Sequence, residues 1–170
     1  ITPTGTLFDV QVEEFQKVLN VNLTGTVIPT QVFLKPMVEA GRGAIVNFSS
    51  MAAFRPLTRV MGYAAAKAGI SNFTAFLANE VASKFTPGIR VNAIAPGFFL
   101  TNQNRALLFN EDGTPTARAG KILNGTPMGR FAESEELLGG MFFLTDDKAA
   151  SAITGVVLPI DCGFAAYSGV

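Results

Sequence analysis

Three short apolar runs, separated by longer stretches of helical pattern, constrain the fold of this chain most strongly. The runs lie at residues 44–49 (AIVNFS), 89–95 (IRVNAIA) and 155–160 (GVVLPI). Apolar runs of this length that are bounded by glycine or proline are typical of strands buried on both faces of a sheet. Because these strands alternate with helices, the sequence predicts an α/β fold with a parallel sheet and right-handed crossovers.

Helical patterns fill most of the sequence between these runs. Residues 12–40 repeat apolar side chains at helical spacing, and Gly25 and Pro29 in the middle predict either two helical segments or one bent helix. Residues 62–85 are rich in alanine, which favours a helix and lets another backbone approach closely. Residues 134–144 begin with acidic side chains that suit a helix start.

Residues 98–124 form a long excursion after the second predicted strand. Short helical patches are predicted within it at residues 104–108 and 117–123. Loops of this length in a compact domain are usually lids or binding segments. With no internal repeat or linker in sight, we interpret residues 1–170 as a single domain.

A parallel sheet of three strands would leave one edge open and much of a helix layer uncovered. The sequence therefore predicts half of a doubly wound fold, with three strands joined by long crossover helices.

Composition excludes several classes of protein. Lysine plus arginine equals aspartate plus glutamate at 13 each, so no charge excess favours a nucleic-acid or membrane-surface partner. The chain has no histidine, which excludes histidine-dependent catalytic triads and histidine-ligated metal sites, and we predict no metal site. No apolar run approaches the roughly 18 residues of a membrane span. The single cysteine, Cys162, cannot form an internal disulfide, so we expect a reducing, cytoplasmic location.

The stretch from Ser50 to Lys67 holds the side chains most suited to catalysis. Tyr63 and Lys67 are four residues apart in a predicted helix, so their polar ends share a face. An ammonium beside a phenol favours the phenolate, which suits a tyrosine that exchanges a proton near neutral pH. Ser50 follows a predicted strand, and open α/β sheets bind ligands at such strand ends. Plainer interpretations stay open, namely Ser50 as a helix N-cap and the Tyr63–Lys67 pair as packing and surface residues.

Four motifs together resemble the short-chain dehydrogenase/reductase family. NVNLTG around Asn22, Ser50 thirteen residues before Tyr63, the YAAAK run and the APGFFLT run stand in the order and spacing of that family. The resemblance covers essentially all 170 residues. It implies a Rossmann-type fold and the interconversion of an alcohol and a carbonyl with NAD or NADP as cofactor.

The resemblance also implies a role for each matching residue. Tyr63 would exchange a proton with the substrate oxygen, Lys67 would favour the phenolate, and both would contact the nicotinamide ribose. Ser50 would bind and orient the substrate oxygen, and Asn22 would hold a water that links Lys67 to solvent. The residues implied to hold the nicotinamide carboxamide are Pro96, Gly97, Phe99 and Thr101. Asn22 could instead join helix segments, and Thr101 could be a turn residue.

The chain departs from the family in one large respect. The glycine-rich TGxxxGxG loop that binds the nucleotide in this family is absent, and the first residue, Ile1, is not methionine. We therefore expect the C-terminal half of a Rossmann-type sheet whose N-terminal nucleotide-binding half is missing from this chain. Such a chain would bind dinucleotide poorly. Cys162 stands where the family more often has glycine.

A narrower resemblance points to the sugar-acid branch of the family. The runs PGFFLTNQNRALL, TPMGRF and FAAYSGV are similar to D-mannonate oxidoreductases (fructuronate reductases), with gluconate 5-dehydrogenases as near relatives. Arg105 could bind a substrate carboxylate through its planar fork, or it could be an ordinary surface charge.

Three hypotheses remain open from the sequence. The first is an NAD- or NADP-dependent oxidoreductase of a sugar acid, and the second is a reductase of another carbonyl, such as a 3-oxoacyl thioester. The third is a catalytically incompetent fragment that acts only through helix-mediated association. In the family, helices that match residues 12–40 and 62–85 pack against a second subunit, so we expect a homodimer or homotetramer.

Overall fold

The computed structural model describes residues 6–102 and 104–169, which form an α/β fold around a parallel sheet. The strands are β1 (Gly43–Phe48), β2 (Ile89–Pro96) and β3 (Val157–Ile160). The helices are α1 (Val12–Leu19), α2 (Gly25–Ala40), α3 (Met61–Lys84), α4 (Arg105–Leu108), α5 (Ala117–Asn124) and α6 (Glu136–Thr145). The strand order is β1-β2-β3 with both pairs parallel, so the predicted sheet is confirmed for the described residues.

Two predicted elements begin later than the sequence indicates. β3 starts at Val157 rather than at residue 155, because Gly155 turns the chain with a φ of +79°. α6 starts at Glu136 rather than at residue 134. The Glu136 carboxylate accepts a hydrogen bond of 2.8 Å from the backbone N–H of Glu133, which satisfies one donor ahead of the helix.

The helical stretch at residues 12–40 is divided into two segments, as one of the predicted alternatives has it. The interruption is a π-helical turn, Asn20–Thr24, which lies ahead of Gly25. Pro29 is accommodated inside α2. The extra residue of a π turn leaves no mark in helix propensity, so the sequence alone could not locate it.

Alternate side chains of β2 divide the core into two layers. Ile89 and Val91 pack with Leu77 and Val81 of α3 on one face of the sheet. Arg90, between them in sequence, faces the other way and donates a hydrogen bond of 2.6 Å to the carbonyl of Leu144 in α6. Because successive strand residues point to opposite faces, α3 and α6 lie on opposite sides of the sheet.

β1 forms an edge of the sheet within the described residues, since β2 is its only strand partner there. A groove of about 390 Å³ runs between this strand and α2, and Thr26, Phe33 and Val46 are among the residues that line it. Phe33 keeps 63% of its surface exposed. Among residues 6–102 and 104–169, no helix combines the length and apolar character that crossing a membrane requires.

Candidate functional site

Two groups of predicted site residues lie at the carboxyl ends of neighbouring strands. Ser50 follows β1, and Pro96 and Gly97 lie at the end of β2. In the register of the two strands, Phe48 lies beside Ile94. The N–H of Ser49 donates 2.9 Å to the carbonyl of Ile94, so Ser50 follows directly after the last bond between these strands. Ligands of parallel α/β sheets bind outside the carboxyl ends of the strands, so these loops lie where a bound ligand is expected.

Lys67 extends from α3 to the end of β1. Its Nζ atom donates a hydrogen bond of 2.8 Å to the carbonyl oxygen of Phe48 and lies 5.5 Å from the centroid of the Tyr63 ring. Burial lowers the pKa of the Lys67 ammonium from its ordinary value. An ammonium carries three N–H donors, so donors remain after the bond to Phe48. The structure thus brings Tyr63 and Lys67 together at the strand end.

A pair of serines, which the sequence reasoning missed, fixes the backbone at Lys67. The hydroxyl oxygens of Ser49 and Ser71 lie 2.6 Å apart, and each lies 3.2 Å from the carbonyl oxygen of Lys67. One hydroxyl donates to the other, and the hydroxyl that accepts this bond has its own hydrogen to donate to the carbonyl. Ser49 is buried at the end of β1, and Ser71 is one helical turn after Lys67. The four-residue spacing of Lys67 and Ser71 is the one signal in the sequence that could have indicated this network.

Ser50 is buried and begins the short 3-10 turn Met51–Ala53. Its hydroxyl oxygen accepts a hydrogen bond of 3.1 Å from the backbone N–H of Ala52, so the N-cap interpretation holds for this residue. A hydroxyl that accepts through a lone pair still has its own hydrogen to donate. Capping the turn is therefore compatible with a bond from Ser50 to a substrate oxygen.

Asn22 lies in the π turn between α1 and α2. The side-chain Nδ2 atom of Asn22 donates a hydrogen bond of 3.0 Å to the carbonyl of Val18 in α1. The main-chain carbonyl of Asn22 accepts a hydrogen bond of 2.8 Å from the hydroxyl of Thr26 in α2. The interpretation of Asn22 as a link between helix segments is thus supported by its contacts. π turns inside helices are frequent at functional sites.

Two glycines of α3 allow the first helices to come close to the tyrosine and lysine. A Cβ atom at Gly62 would lie 3.1 Å from the ring of Phe15, and one at Gly69 would lie 3.0 Å from the side chain of Leu23. Gly62 and Gly69 flank Tyr63 and Lys67 along the helix. Because these two glycines have no Cβ atom, the Asn22 turn can pack against the helix that carries the candidate acid–base pair.

A second side chain that the sequence reasoning missed, Asn104, organises the segment after β2. Its Nδ2 atom donates 2.7 Å to the carbonyl of Phe99, and its Oδ1 atom accepts 2.9 Å from the N–H of Thr101. The Thr101 hydroxyl accepts 3.3 Å from the N–H of Asn104, as a turn residue would. The Asn104 amide thus joins Phe99 to Thr101 within the predicted cofactor-binding backbone, which a bridge between Phe99 and Ala132 also holds.

Gly97 is required where β2 leaves the sheet. A Cβ atom there would meet the Cα atom of Asp161 at 2.6 Å, so a larger residue would push β2 and β3 apart. The N–H of Gly97 also donates 2.9 Å to the carbonyl of Ile160. The strand end at Pro96 and Gly97 is therefore fixed against the end of β3.

Arg105 is the first residue of α4, and its guanidinium carbon lies 5.7 Å from the centroid of the Phe109 ring. It is exposed. No hydrogen bond or ion pair within residues 6–102 and 104–169 joins it to Ser50 or Tyr63. The structure thus leaves Arg105 as a cation on the segment that follows the candidate cofactor-binding turn.

Comparison with known proteins decides the family. Residues 1–165 match the family described as enoyl-(acyl carrier protein) reductase, which covers nearly the whole chain and every candidate residue. The chain belongs to the short-chain dehydrogenase/reductase family. An uncharacterized oxidoreductase of this kind from Haemophilus influenzae is 54% identical over 167 residues, which are 98% of this chain and 58% of the relative.

Solved structures of short-chain dehydrogenases resemble the fold closely. A crystal structure from Haemophilus influenzae, provisionally named a D-mannonate oxidoreductase and holding NAD, matches with a TM-score of 0.89 and 54% identity. The match covers 97% of this chain and 58% of that one. A structure from Agrobacterium tumefaciens, provisionally named a 2-deoxy-D-gluconate 3-dehydrogenase and holding NADP, matches with a TM-score of 0.85 and 36% identity over 98% of this chain and 64% of that one. The chain therefore spans about three fifths of the length of these relatives.

Proposed function

We propose that this chain is the C-terminal part of an NAD- or NADP-dependent enzyme that interconverts an alcohol and a carbonyl on a sugar acid of the D-mannonate and D-fructuronate kind. The observation that carries the proposal is the position of Lys67. Its ammonium is anchored to the Phe48 carbonyl at the strand end, beside the Tyr63 ring, where a ligand of a parallel sheet would bind.

The residues present fit the nicotinamide half of the cofactor. Lys67 keeps N–H donors beyond the one used on Phe48, and these suit the hydroxyls of a ribose. The backbone at Pro96, Gly97 and Phe99 and the hydroxyl of Thr101 would hold the carboxamide. The cofactor supplies a hydride to the carbonyl carbon or removes one from the alcohol carbon.

The chain's own side chains would then handle the proton on the substrate oxygen. During reduction Tyr63 would donate its phenolic proton to that oxygen, and the Lys67 ammonium would stabilise the phenolate that remains. Ser50 would donate a hydrogen bond to the same oxygen and fix its direction. Asn22 would hold a water through which Lys67 exchanges protons with solvent. In the oxidation direction each transfer runs in reverse.

An N-terminal nucleotide-binding half is part of the same proposal. The relatives extend well beyond the matched region, and the sequence here lacks the glycine-rich loop that binds pyrophosphate in this family. The open edge of β1 and the apolar groove beside α2 are where a further parallel strand would add to the sheet. On this proposal, the groove is filled by the preceding part of the same polypeptide.

A homodimeric or homotetrameric, cytoplasmic enzyme is proposed on less direct grounds. Val32 on α2 and Phe76 on α3, which do not line that groove, each keep more than half of their surface exposed, which suits helices that pack against a second copy. Light scattering of the longer protein would test the assembly, and a monomer at working concentration would contradict it.

The sugar-acid substrate rests on the names of the structural relatives and on Arg105. A guanidinium on the segment that follows the nicotinamide turn could bind the substrate carboxylate. A reductase of 3-oxoacyl thioesters is the second candidate, because a relative from Synechocystis named a 3-oxoacyl-[acyl-carrier-protein] reductase is 35% identical over 98% of this chain and 62% of its own length. The third candidate is the incompetent fragment, which would associate with another chain through exposed helix residues such as Val32 and Phe76.

One experiment separates these candidates. NADH and NADPH oxidation would be followed with D-fructuronate, a neutral ketone and a 3-oxoacyl thioester, for this chain and for the same chain extended upstream to its in-frame start. We expect the extended protein to reduce D-fructuronate and this chain alone to be silent. Preference for the thioester would favour the second candidate, and silence of the extended protein towards every substrate would favour the third.

Arg105→Ala tests the carboxylate contact within the active protein. Loss of one charged hydrogen-bonding partner should raise the KM for D-fructuronate about tenfold and leave the neutral ketone unaffected. Arg118→Ala is the matched control, because Arg118 is an exposed arginine on α5. Equal effects of the two variants would refute a specific contact at Arg105.

A further inference from the structure

The C-terminal tail, residues 161–167, lies at the carboxyl ends of the strands, as the candidate site does. It begins where β3 ends, and its first residue, Asp161, touches Gly97 at the end of β2. The Asp161 carboxylate accepts hydrogen bonds from the N–H groups of Gly163 (2.9 Å) and Ala165 (2.7 Å). The tail therefore leaves the sheet as a compact turn next to the predicted nicotinamide-binding backbone.

The tail is packed against the segment that follows β2. Phe164 meets Phe98 edge to face, with ring centroids 5.4 Å apart, and joins the apolar cluster built on Leu108 and Ile122. The carbonyl of Cys162 accepts 3.2 Å from the N–H of Met128. Residues 98–102 and 104–129, which include Thr101 and Arg105, are thus attached to the tail at several points.

Arg55 joins the other side of the tail to the Ser50 loop, which is the segment at residues 49–60 between β1 and α3. Its Nε and Nη2 atoms donate 3.0 and 2.9 Å to the carbonyl of Ala165, and Nη2 also donates 3.1 Å to the carbonyl of Tyr167. Arg55 is five residues after Ser50, in the loop that leads to α3. The planar fork of arginine fits two neighbouring carbonyls, whereas a lysine would present a single point of donation.

These contacts join three segments that carry candidate site residues but are far apart in sequence. The tail contacts the Ser50 loop through Arg55, the segment after β2 through Phe164, and the end of β2 through Gly97. A tail released from Arg55 would keep its apolar contact at Phe164 and its contact with Gly97. It would lose its attachment to the loop that carries Ser50, the residue proposed to orient the substrate oxygen.

We propose that Arg55 is a positioning residue that holds the C-terminal tail against the Ser50 loop, so that the tail forms one wall of the substrate pocket and sets its affinity for the carbonyl substrate. The proposal rests on the proposed function for its kinetic consequence. Its structural half, that Arg55 holds the tail in place, stands independently of the reaction.

The structural half is tested by hydrogen exchange of the tail amides, measured by mass spectrometry on the extended protein. We expect Arg55→Ala to speed exchange in residues 163–167 about tenfold and Arg55→Lys to restore the protection only in part. Arg42→Ala is the matched control, since Arg42 is exposed at the amino end of β1, the opposite end of the strand from the site. Unchanged tail exchange in Arg55→Ala would overturn the proposal, whatever the enzyme acts on.

The kinetic half is tested with D-fructuronate and the reduced cofactor. Arg55→Ala should raise the KM for the carbonyl substrate about tenfold while the KM for NADH or NADPH changes less than about twofold, because the contact between Asp161 and Gly97 is intact. Faster tail exchange with an unchanged substrate KM would overturn the assigned role in the pocket. Absence of turnover in the wild-type protein would refute the proposed function and this kinetic role, while the exchange result would still decide whether Arg55 holds the tail.

Discussion

Lys67 donates a hydrogen bond of 2.8 Å from Nζ to the main-chain carbonyl of Phe48, so the helix that carries Tyr63 is fixed to the end of a β-strand. This bond places the ammonium beside the tyrosine ring and at the carboxyl end of β1, where parallel sheets bind ligands. The sequence predicts that Tyr63 and Lys67 share a helix face. It does not predict that a strand carbonyl holds the lysine in place.

Lys67→Met should remove catalysis, because it takes the ammonium away from the Tyr63 ring. The apolar side chain keeps the length of the lysine stem but cannot support a tyrosine phenolate, so we expect the extended protein to lose about 10²-fold or more in kcat. Lys121→Met, at an exposed lysine on α5, is the matched control and should keep its activity. A Lys67→Met enzyme within a few-fold of wild type would exclude the lysine from proton transfer.

Asn104 offers a test of the cofactor-binding turn. Asn104→Ala removes the two side-chain bonds that hold the Phe99 carbonyl and the Thr101 N–H, and we expect the KM for the nicotinamide cofactor to rise about tenfold. Asn104→Asp keeps the acceptor for Thr101 but sets a carboxylate oxygen against the Phe99 carbonyl, so its effect should be at least as large as that of Asn104→Ala. Cofactor KM values equal to wild type in both variants would show that the turn is held by other means.

Glu136 makes the start of α6 sensitive to acid. The hydrogen bonds from Arg130, helped by the backbone N–H of Glu133, lower the pKa of the Glu136 carboxyl from 4.5 to about 2. Because the folded state binds fewer protons than the unfolded state between these values, the carboxylate stabilises the fold above pH about 4.5 and the effect is lost as the pH falls towards 2.

Glu136→Gln should thus lower the Tm at neutral pH and match wild type near pH 2. Thermal denaturation across this range, with Glu135→Gln as the control at a neighbouring carboxylate, checks the prediction. A gap in Tm that does not depend on pH would show that the charge of Glu136 is not responsible.

Cys162 adopts a φ of +55°, a left-handed conformation that favours glycine. The resemblance to the family already marks this position as one where glycine is more usual. Cys162→Gly should raise the free energy of unfolding by up to about 1 kcal/mol, whereas Cys162→Ala should not, since alanine keeps a Cβ atom. Chemical denaturation of both variants measures the difference, and equal stabilities would mean that the turn carries no strain.

The strands and the main helices follow from the sequence because apolar runs and helical spacing record burial directly. Both β1 and β2 are found within a residue or two of their predicted places. Only β2 is buried along nearly its whole length, whereas β1 and β3 are mostly half-buried. The π turn at Asn20–Thr24 could not be predicted, because a one-residue insertion into a helix changes hydrogen bonding without changing composition.

The site itself was only half visible in the sequence. Tyr63 and Lys67 are one helical turn apart, so local geometry indicates that they meet. Ser50 was predicted from its place after a strand and from the resemblance to the family. The contacts of Arg55 with Ala165 join residues 110 positions apart, and no local pattern records such a contact. The Ser49–Ser71 bond is missed for a different reason, since serines are common in loops and helices and nothing in their type singles them out.

The most direct test of the account compares the two tyrosines of the chain. NADH and NADPH oxidation with D-fructuronate would be measured for the extended wild-type protein and for Tyr63→Phe and Tyr167→Phe. Each variant loses one phenolic hydroxyl. Tyr63 lies beside Lys67, whereas Arg55 binds the main-chain carbonyl of Tyr167, which phenylalanine keeps. We predict that Tyr63→Phe loses about 10²-fold or more in kcat and that Tyr167→Phe stays within a few-fold of wild type. Turnover by Tyr63→Phe at the wild-type rate would contradict the account.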